Sequence, residues 1–309
     1  MPPICFHKPS ASCTDSFKKC CQAIHYLKFG RDILKTLYIS DLDGTLLNSA
    51  AELSEYTVST INRLIDEGMY FTFATARTVY SAAAITEPLN LNMPCILNNG
   101  AGIYDPCRGA YIKKACIPID TSRRIISAFH KNNVHCFMFK FAGDRLVTCY
   151  DKITDEHMQS YVEERNTTFA QPFIKCDNVL DELDETAIYI NSCGELEKLY
   201  PVRNLIEEFE DVGFELYEDI YTKKWYLETF SAAASKGIGI KYLRETYGFD
   251  RVVAFGDNLN DLSMFKQADV KVAVANGNSR LKSEANVVIK SNDDDGVAKY
   301  LDLIREITH

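Results

Sequence analysis

The sequence predicts an α/β fold, a doubly wound parallel sheet interrupted by an α+β insert. Near both ends of the chain, short apolar runs alternate with amphipathic helical stretches over short connections, the pattern of parallel strands joined by crossover helices. The middle third has a different texture, with paired strand-like runs around tight turns. Clusters of Asp, Thr, Ser and Lys fall where the apolar runs of the outer thirds end or where the next helix begins.

Thr36–Ser40 is a short apolar run of the kind found in strands buried on both faces. Ser54 can cap a helix carrying Val58, Ile61, Leu64 and Ile65 on one face, and Gly68 ends it. Met69–Thr75 reads as a second strand and Cys95–Asn99 as a third. In the insert, Val134–Phe141 and Arg145–Tyr150 flank Ala142-Gly143-Asp144 as a hairpin, and Asp155–Arg165 and Glu195–Phe209 are helical. A second hairpin pairs Phe214–Tyr221 with Lys224–Phe230 around Thr222-Lys223. The α/β rhythm then resumes with a helix at Ile238–Tyr247, a strand at Val252–Phe255, a helix at Leu259–Ala268, a strand at Val270–Ala275 and a helix at Val297–Ile307. The charge run Asp293–Asp295 reads as a cap on that last helix.

At 309 residues the chain is near the size at which one core splits into two. A hydrophobic fraction of 46% with 25% charged residues is ordinary for a globular enzyme, and no apolar run is long enough to cross a bilayer. The net charge of −9 argues against a nucleic-acid partner, since no basic stripe exists to displace phosphate counterions. It also requires that an anionic ligand meet a local concentration of cations. Eleven cysteines, an odd number without a CxxC pair, fit a reducing cytoplasm better than a disulfide framework.

The first 33 residues fit neither half of the pattern: they lack a signal-peptide core and show no sustained periodicity. Cys5, His7, Cys13, Cys20, Cys21 and His25 gather there, in a spacing that matches no zinc-ligand template. Either the segment is a genuine, loosely docked or disordered extension, or it is not native and translation starts at Leu34. With methionine in place of Leu34 the chain would open MKTLYISDLDGTLLN, and Gly30-Arg31 can be encoded by purine-rich codons at a spacing suited to ribosome binding. The intact mass of protein from its native cell separates the two; a mass that includes residues 1–33 ends the start-codon explanation.

Four clusters carry the chemistry: Asp41-Leu42-Asp43-Gly44-Thr45, Thr75-Ala76-Arg77, Ser235-Lys236-Gly237 and Gly256-Asp257-Asn258-Leu259-Asn260-Asp261. Each alone reads as a turn, a cap or a surface lysine. As an ordered set at the carboxyl edge of one predicted sheet, they mark the edge where open α/β folds bind ligands. If Asp41, Asp43, Asp257 and Asp261 converge, each pair about 4 Å apart costs on the order of 4 kcal/mol at an effective dielectric near 20. A hard divalent cation offsets this, and carboxylate and carbonyl oxygens are what Mg²⁺ prefers. With Lys236 added, the acidic cradle becomes locally positive and suits a phosphate dianion. Alternate residues of an extended strand point the same way, so both carboxylates of DLDG can face one ligand, while Leu42 and Gly44 offer backbone N–H groups. One aspartate can then attack phosphorus while the other handles the leaving group's proton.

These motifs resemble the haloacid dehalogenase (HAD) superfamily of phosphotransferases, matching at DLDGT, Thr75, Lys236 and GDNLND in the order that family requires. The stretch ILNNGAGIYD (Ile96–Asp105), GDNLNDLSMF and Asp295-Gly296-Val297-Ala298 are similar to the Cof-type hydrolases, which carry a class IIB cap. The resemblance spans Leu34 to the C-terminus. It implies a HAD-like core of residues 34–116 and 227–309 and an α+β cap of 117–226. It further implies that Asp41 is the nucleophile forming an aspartyl-phosphate and that Asp43 is the acid and then the base. Thr75 and the Ala76 backbone would hold the phosphoryl group, with Arg77 beside them and Lys236 and Asn260 adding donors. Mg²⁺ would sit on the Asp41 carboxylate, the Asp43 carbonyl and Asp257, with Asp261 orienting its neighbours. The implied partner is a small phosphorylated metabolite, with no nucleic acid or membrane, and the chain would be a monomer or weak homodimer. Two departures bear on substrate range: Ala76 stands where the family usually has glycine, and Ser231-Ala232-Ala233-Ala234 replaces a glycine-containing lead-in to Lys236.

Two rivals remain. A phosphohexomutase of the same superfamily would begin catalysis identically but return the phosphoryl group to a sugar. A non-catalytic phospho-receiver also gathers aspartates, a threonine and a lysine, but in a much shorter chain without a large insert. Serine or histidine-based hydrolysis lacks support: there is no GxSxG elbow, and His130, His135 and His157 lie in the insert, where they read as surface or core residues. The insert's aromatics, among them Phe137, Phe139, Tyr217, Tyr221, Trp225 and Tyr226, read mostly as core by strand alternation.

Overall fold

The computed structural model describes residues 34–154, 156–218 and 223–308. The N-terminal extension with its Cys and His cluster, Asp155, Tyr221 and Thr222 of the second expected hairpin lie outside them. In chain order the first elements are β1 (Thr36–Ser40), α1 (Glu55–Asp66), β2 (Tyr70–Phe73), α2 (Val79–Thr86), β3 (Cys95–Leu97), β4 (Gly102–Asp105) and β5 (Ala110–Lys114). The insert continues with α3 (Ile119–Lys131), β6 (Phe137–Ala142), β7 (Arg145–Tyr150), α4 (Glu156–Thr168), β8 (Phe173–Lys175), β9 (Ala187–Gly194), α5 (Leu196–Ile206), β10 (Val212–Glu218) and β11 (Trp225–Ser231). The chain ends with α6 (Lys236–Tyr247), β12 (Arg251–Gly256), α7 (Leu262–Phe265), β13 (Val270–Val274), α8 (Ser279–Glu284), β14 (Val287–Ile289) and α9 (Gly296–Thr308). These elements fall into two compact units, one running to Thr72 and resuming at Leu243, the other comprising Phe73–Tyr242.

The first unit is built on a five-stranded sheet of order β14-β13-β12-β1-β2, in which β1 pairs parallel with β12, β12 with β13 and β13 with β14. Leu37, Ile39, Val252, Phe255 and Val272 have no exposed surface, as expected of strands covered on both faces. From β1 the chain moves to β2 on one side, and from β12 to β13 on the other. The crevice at the carboxyl ends of β1 and β12 is therefore the topological switch point. Ser54 caps α1, accepting from Thr57 N–H at 3.0 Å, and Gly68 (φ +95°) follows its end.

The second unit carries a six-stranded sheet of order β10-β11-β9-β6-β7-β8, antiparallel except where β7 meets β8. On one face, Ile125, Ile126 and Phe129 of α3 and Leu199, Val202 and Ile206 of α5 bury Met138, Ile190 and Leu227. The other face is aromatic: Phe139 meets Tyr189 at 5.4 Å between ring centroids, and Phe137 meets Phe173 at 5.5 Å.

Several sequence expectations are corrected. The third expected strand forms but is shorter than Cys95–Asn99: β3 stops at Leu97, bridges Ala74 in parallel through Ile96, and pairs antiparallel with β4 in a sheet of order β3-β4-β5. Asn98 (φ 49°), Asn99 (φ 52°) and Gly100 (φ 98°) then turn left-handed, which ends any strand. The expected helix Leu259–Ala268 is a tight turn at Leu259–Asp261 followed by the short α7. The Asp293–Asp295 run also reaches beyond α9: Asp295 pairs with Lys299 of that helix at 3.7 Å, but it accepts from Ser54 Oγ at 2.5 Å as well, and Asp293 accepts from Ser49 N–H at 2.7 Å. They tie the end of the chain to the start of α1. Among the insert aromatics, Phe137 and Phe139 are core, but Tyr217 is 40% exposed.

Glu228 lies in one cross-strand row with Asn191 and Phe137, on the aromatic face. Burial raises its carboxyl pKa, against the opposing effect of hydrogen bonds from Tyr189 and from Tyr217, whose O–H donates to Oε1 at 3.0 Å. The folded protein thus holds this proton more tightly than the unfolded chain. Its contribution to stability is complete below about pH 4.5 and is lost as pH rises through the raised folded value. Glu228→Gln, which keeps an acceptor oxygen, is expected to melt at a higher temperature than the wild type at neutral pH. Melting curves in a pH series should show this advantage vanishing toward acidic pH.

Candidate active site

Asp41 stands one residue beyond β1, where its N–H donates to the Phe255 carbonyl of β12 at 3.0 Å, so the strand ladder itself fixes its backbone. The chain then makes one wide turn over Leu42–Leu46, closed by Leu47 N–H donating to the Leu42 carbonyl at 2.9 Å. Gly44 occupies φ +74° within it, and a Cβ there would lie 2.6 Å from Asp257 Oδ2. Only glycine satisfies both constraints. Thr45 Oγ1 donates to Asp257 Oδ1 at 3.0 Å, and Asn276 Nδ2 donates to the Gly44 carbonyl at 2.7 Å. The turn and the Asp257 loop are thereby held together.

Asp257 follows β12 directly. Asp261 Oδ2 accepts from the N–H groups of both Asp257 (3.0 Å) and Asn258 (3.1 Å), so this buried carboxylate braces the loop that presents Asp257. One carboxylate oxygen from each of Asp41, Asp257 and Asp261 lies within 4.8 Å of the others. Asp41 is only 5% exposed, and Asp261 is fully buried. Asp43 is exposed, Leu42 puts its side chain into the core, and Asn260 is half-buried with its Oδ1 shielded and without a hydrogen bond.

This donor set fits a hard divalent cation. Carboxylates at such separations in a partly desolvated crevice repel one another strongly, and all-oxygen ligands are those that Mg²⁺ takes. Asp261 serves two backbone N–H groups of the Asp257 loop, and Asp41 and Asp257 stand at the strand ends beside it.

Thr75, Ala76, Arg77 and Lys236 belong to the second unit. Thr75 is fully buried just past β2, where its N–H donates to the Ile96 carbonyl at 2.9 Å and its Oγ1 accepts from Arg77 N–H at 3.1 Å. Ala76 is exposed. Lys236 opens α6 and is 1% exposed, and Ser235 before it caps the helix, accepting from Ile238 N–H at 3.0 Å. The left-handed Asn98-Asn99-Gly100 turn connects these segments. Asn99 N–H donates to the Thr75 carbonyl at 2.9 Å and Asn98 N–H to the Arg77 carbonyl at 3.0 Å. Gly100 packs so closely on the backbone before Lys236 that a Cβ would stand 2.2 Å from the Ser235 carbonyl oxygen.

A family model described as haloacid dehalogenase-like hydrolase matches residues 38–301. The chain belongs to that family. The 5-amino-6-(5-phospho-D-ribitylamino)uracil phosphatase YitU of Bacillus subtilis is 27% identical over 266 residues, covering 84% of this chain and 94% of its own. The pyridoxal phosphate phosphatase YbhA of Escherichia coli is 26% identical over 272 residues, covering 84% of this chain and 95% of its own. A Thermotoga maritima protein of known crystal structure matches with a TM-score of 0.72 at 29% identity, over 86% of this chain and 96% of that one. Both curated relatives are phosphatases, and this chain is a hydrolase of the same family.

Two residues at the HAD crevice escaped sequence reasoning. Thr45 sat inside the quoted DLDGT motif without a role, and its β-branched hydroxyl after a glycine turn was the available signal. Asn276 follows β13, the neighbour of β12, and the same sheet-edge rule that marked Asp257 would have found it. Gly44→Ala is expected to fold but to displace Asp257, with kcat falling on the order of 100-fold, as misplacements of about 1 Å do. Steady-state kinetics beside a circular dichroism control measures this.

Proposed function

We propose that this chain is a Mg²⁺-dependent phosphatase that hydrolyses small phosphate monoesters through an aspartyl-phosphate. The observation that carries this reading is the convergence of Asp41, Asp257 and Asp261 within 4.8 Å at the switch point of a parallel sheet. In this reading the Asp41 carboxylate attacks phosphorus and the bond to the leaving oxygen breaks, while Asp43 gives that oxygen its proton. Asp43, now a carboxylate, takes a proton from water. The resulting hydroxide attacks the acyl phosphate, releasing phosphate and restoring Asp41.

Thr75, the Ala76 backbone, the Leu42 amide and Asn260 are assigned to holding phosphoryl oxygens, with Arg77 beside them. Lys236 supplies a fixed cation; a deeply buried ammonium is stabilised when it serves an anion. Asp41, the Asp43 carbonyl and Asp257 would hold Mg²⁺, which supplies positive charge against the phosphoryl oxygens and the clustered carboxylates. Asp261 keeps the Asp257 loop in shape. We assign residues 117–226 the role of a cap that selects the leaving group, and 34–116 with 227–309 the role of the catalytic core. Free thiols such as Cys107 and Cys176 support a reducing, cytoplasmic setting.

Relatives named for a ribitylaminouracil phosphate and for pyridoxal phosphate are a reason to try monoesters of that size first. The test is a panel of pyridoxal phosphate, flavin mononucleotide, sugar phosphates and sugar-alcohol phosphates, assayed for free phosphate. Release is expected with Mg²⁺, to stop with EDTA, and to be abolished in Asp41→Asn, because an amide cannot act as the nucleophile. Substantial turnover by that variant refutes the assignment, and isomerised hexose phosphate without free phosphate favours a mutase.

A further inference from the structure

The second unit also holds a cluster that phosphate hydrolysis does not use. His130 lies in the last turn of α3, His135 in the connection to β6, and Asp151 directly after β7. The β6–β7 register, with Met138 opposite Cys149, brings the start of one strand beside the end of the other. The Asp151 carboxylate reaches both imidazoles: His130 Nε2 is 3.0 Å from Oδ2, and His135 Nδ1 is 2.9 Å from Oδ1. One donor atom from each residue lies within 4.8 Å of the others, and the three side chains are 25%, 19% and 11% exposed in the order His130, His135, Asp151.

Ion pairing alone accounts for half of this. His135 Nδ1 and Asp151 Oδ1 are aligned for a hydrogen bond. His130 Nε2 is shielded from solvent and makes no hydrogen bond, although Asp151 Oδ2 is only 3.0 Å away. Closeness without a hydrogen bond is what two ligands of a common ion show. A tetrahedral ion with bonds of about 2.0–2.1 Å spaces its ligands roughly 3.3 Å apart, and the 3.0 Å between His130 Nε2 and Asp151 Oδ2 is of that size. The nearby thiols are not part of the set. Cys136 is buried, and Cys176 Sγ donates to the Tyr150 carbonyl at 3.3 Å, with burial pushing its pKa up to about 11.

We propose that His130, His135 and Asp151 form a binding site for a divalent transition ion of the zinc type, with water completing its coordination. Two imidazoles and a carboxylate favour such an ion, whereas an all-oxygen crevice favours Mg²⁺, so the two sites sort their ions by ligand chemistry. A bound ion would clamp the end of α3 to the end of β7.

The test is zinc binding to the full chain in excess Mg²⁺, followed by calorimetric titration and elemental analysis after dialysis. One zinc is expected on the wild type and on Asp257→Asn. The affinity should fall by more than about 100-fold in the His130→Ala/His135→Ala double variant, beyond what outer-shell changes cost. Zinc should also raise the melting temperature of the wild type and not of the double variant. Where the double variant does not fold, His130→Gln, which spares the His135–Asp151 hydrogen bond, is expected to lose zinc in the same way. Failure of the wild type to bind zinc, retention by the histidine variants, or loss confined to Asp257→Asn would each overturn the proposal.

Discussion

Three carboxylates gathered within 4.8 Å push one another apart, and much of the first unit's local structure is what keeps them in place. The force is large because the crevice excludes water from Asp41 and Asp261. Holding them takes backbone that cannot yield. Asp41 is fastened by the strand ladder to Phe255, Asp261 is fastened to two N–H groups of the loop it braces, and Asp257 is held by Thr45. Gly44 is the point at which the two loops approach too closely for any side chain. The same repulsion is what would favour a doubly charged cation there, so the tightness of the loops and the electrostatics of the crevice have one origin.

The second unit uses a comparable device without charge. Three successive left-handed residues, Asn98, Asn99 and Gly100, are costly for an L-chain, and such conformations persist where the surroundings over-determine them. Here they let one turn receive the Thr75 and Arg77 carbonyls and press against Ser235. Thr75 and the start of α6 are thus positioned by the same few backbone atoms.

Much of this was legible in the sequence, and what escaped has identifiable physical causes. Thr36–Ser40 and the Ser54 cap announced themselves because their signals are local: apolar runs and a short polar side chain before a helical stripe. The DLDG and GDNLND clusters were legible only as members of an ordered set at one predicted sheet edge, since each alone reads as a turn or a cap. The Cys95 run was legible as a strand, but its antiparallel partner β4 was not, because an apolar triplet has the same composition in either kind of pairing. Asp293 and Asp295 were read as helix caps, since nothing local reveals that Ser49 and Ser54 wait for them more than 240 positions earlier. The pairing of His130 and His135 with Asp151 depends on hairpin register, which residue spacing does not encode.

The first unit is discontinuous, and its central strand pair joins segments 215 positions apart, as the contact from Lys35 to Asp250 marks. On a ribosome, β1 emerges long before its partner and must wait, apolar on both faces and with an unsatisfied edge, until β12 has been made. The second unit is one unbroken stretch, Phe73–Tyr242, and can complete its own sheets during that delay. Biogenesis would then run from the middle of the chain outward. The segment most exposed to misassembly while translation proceeds is the one that carries Asp41.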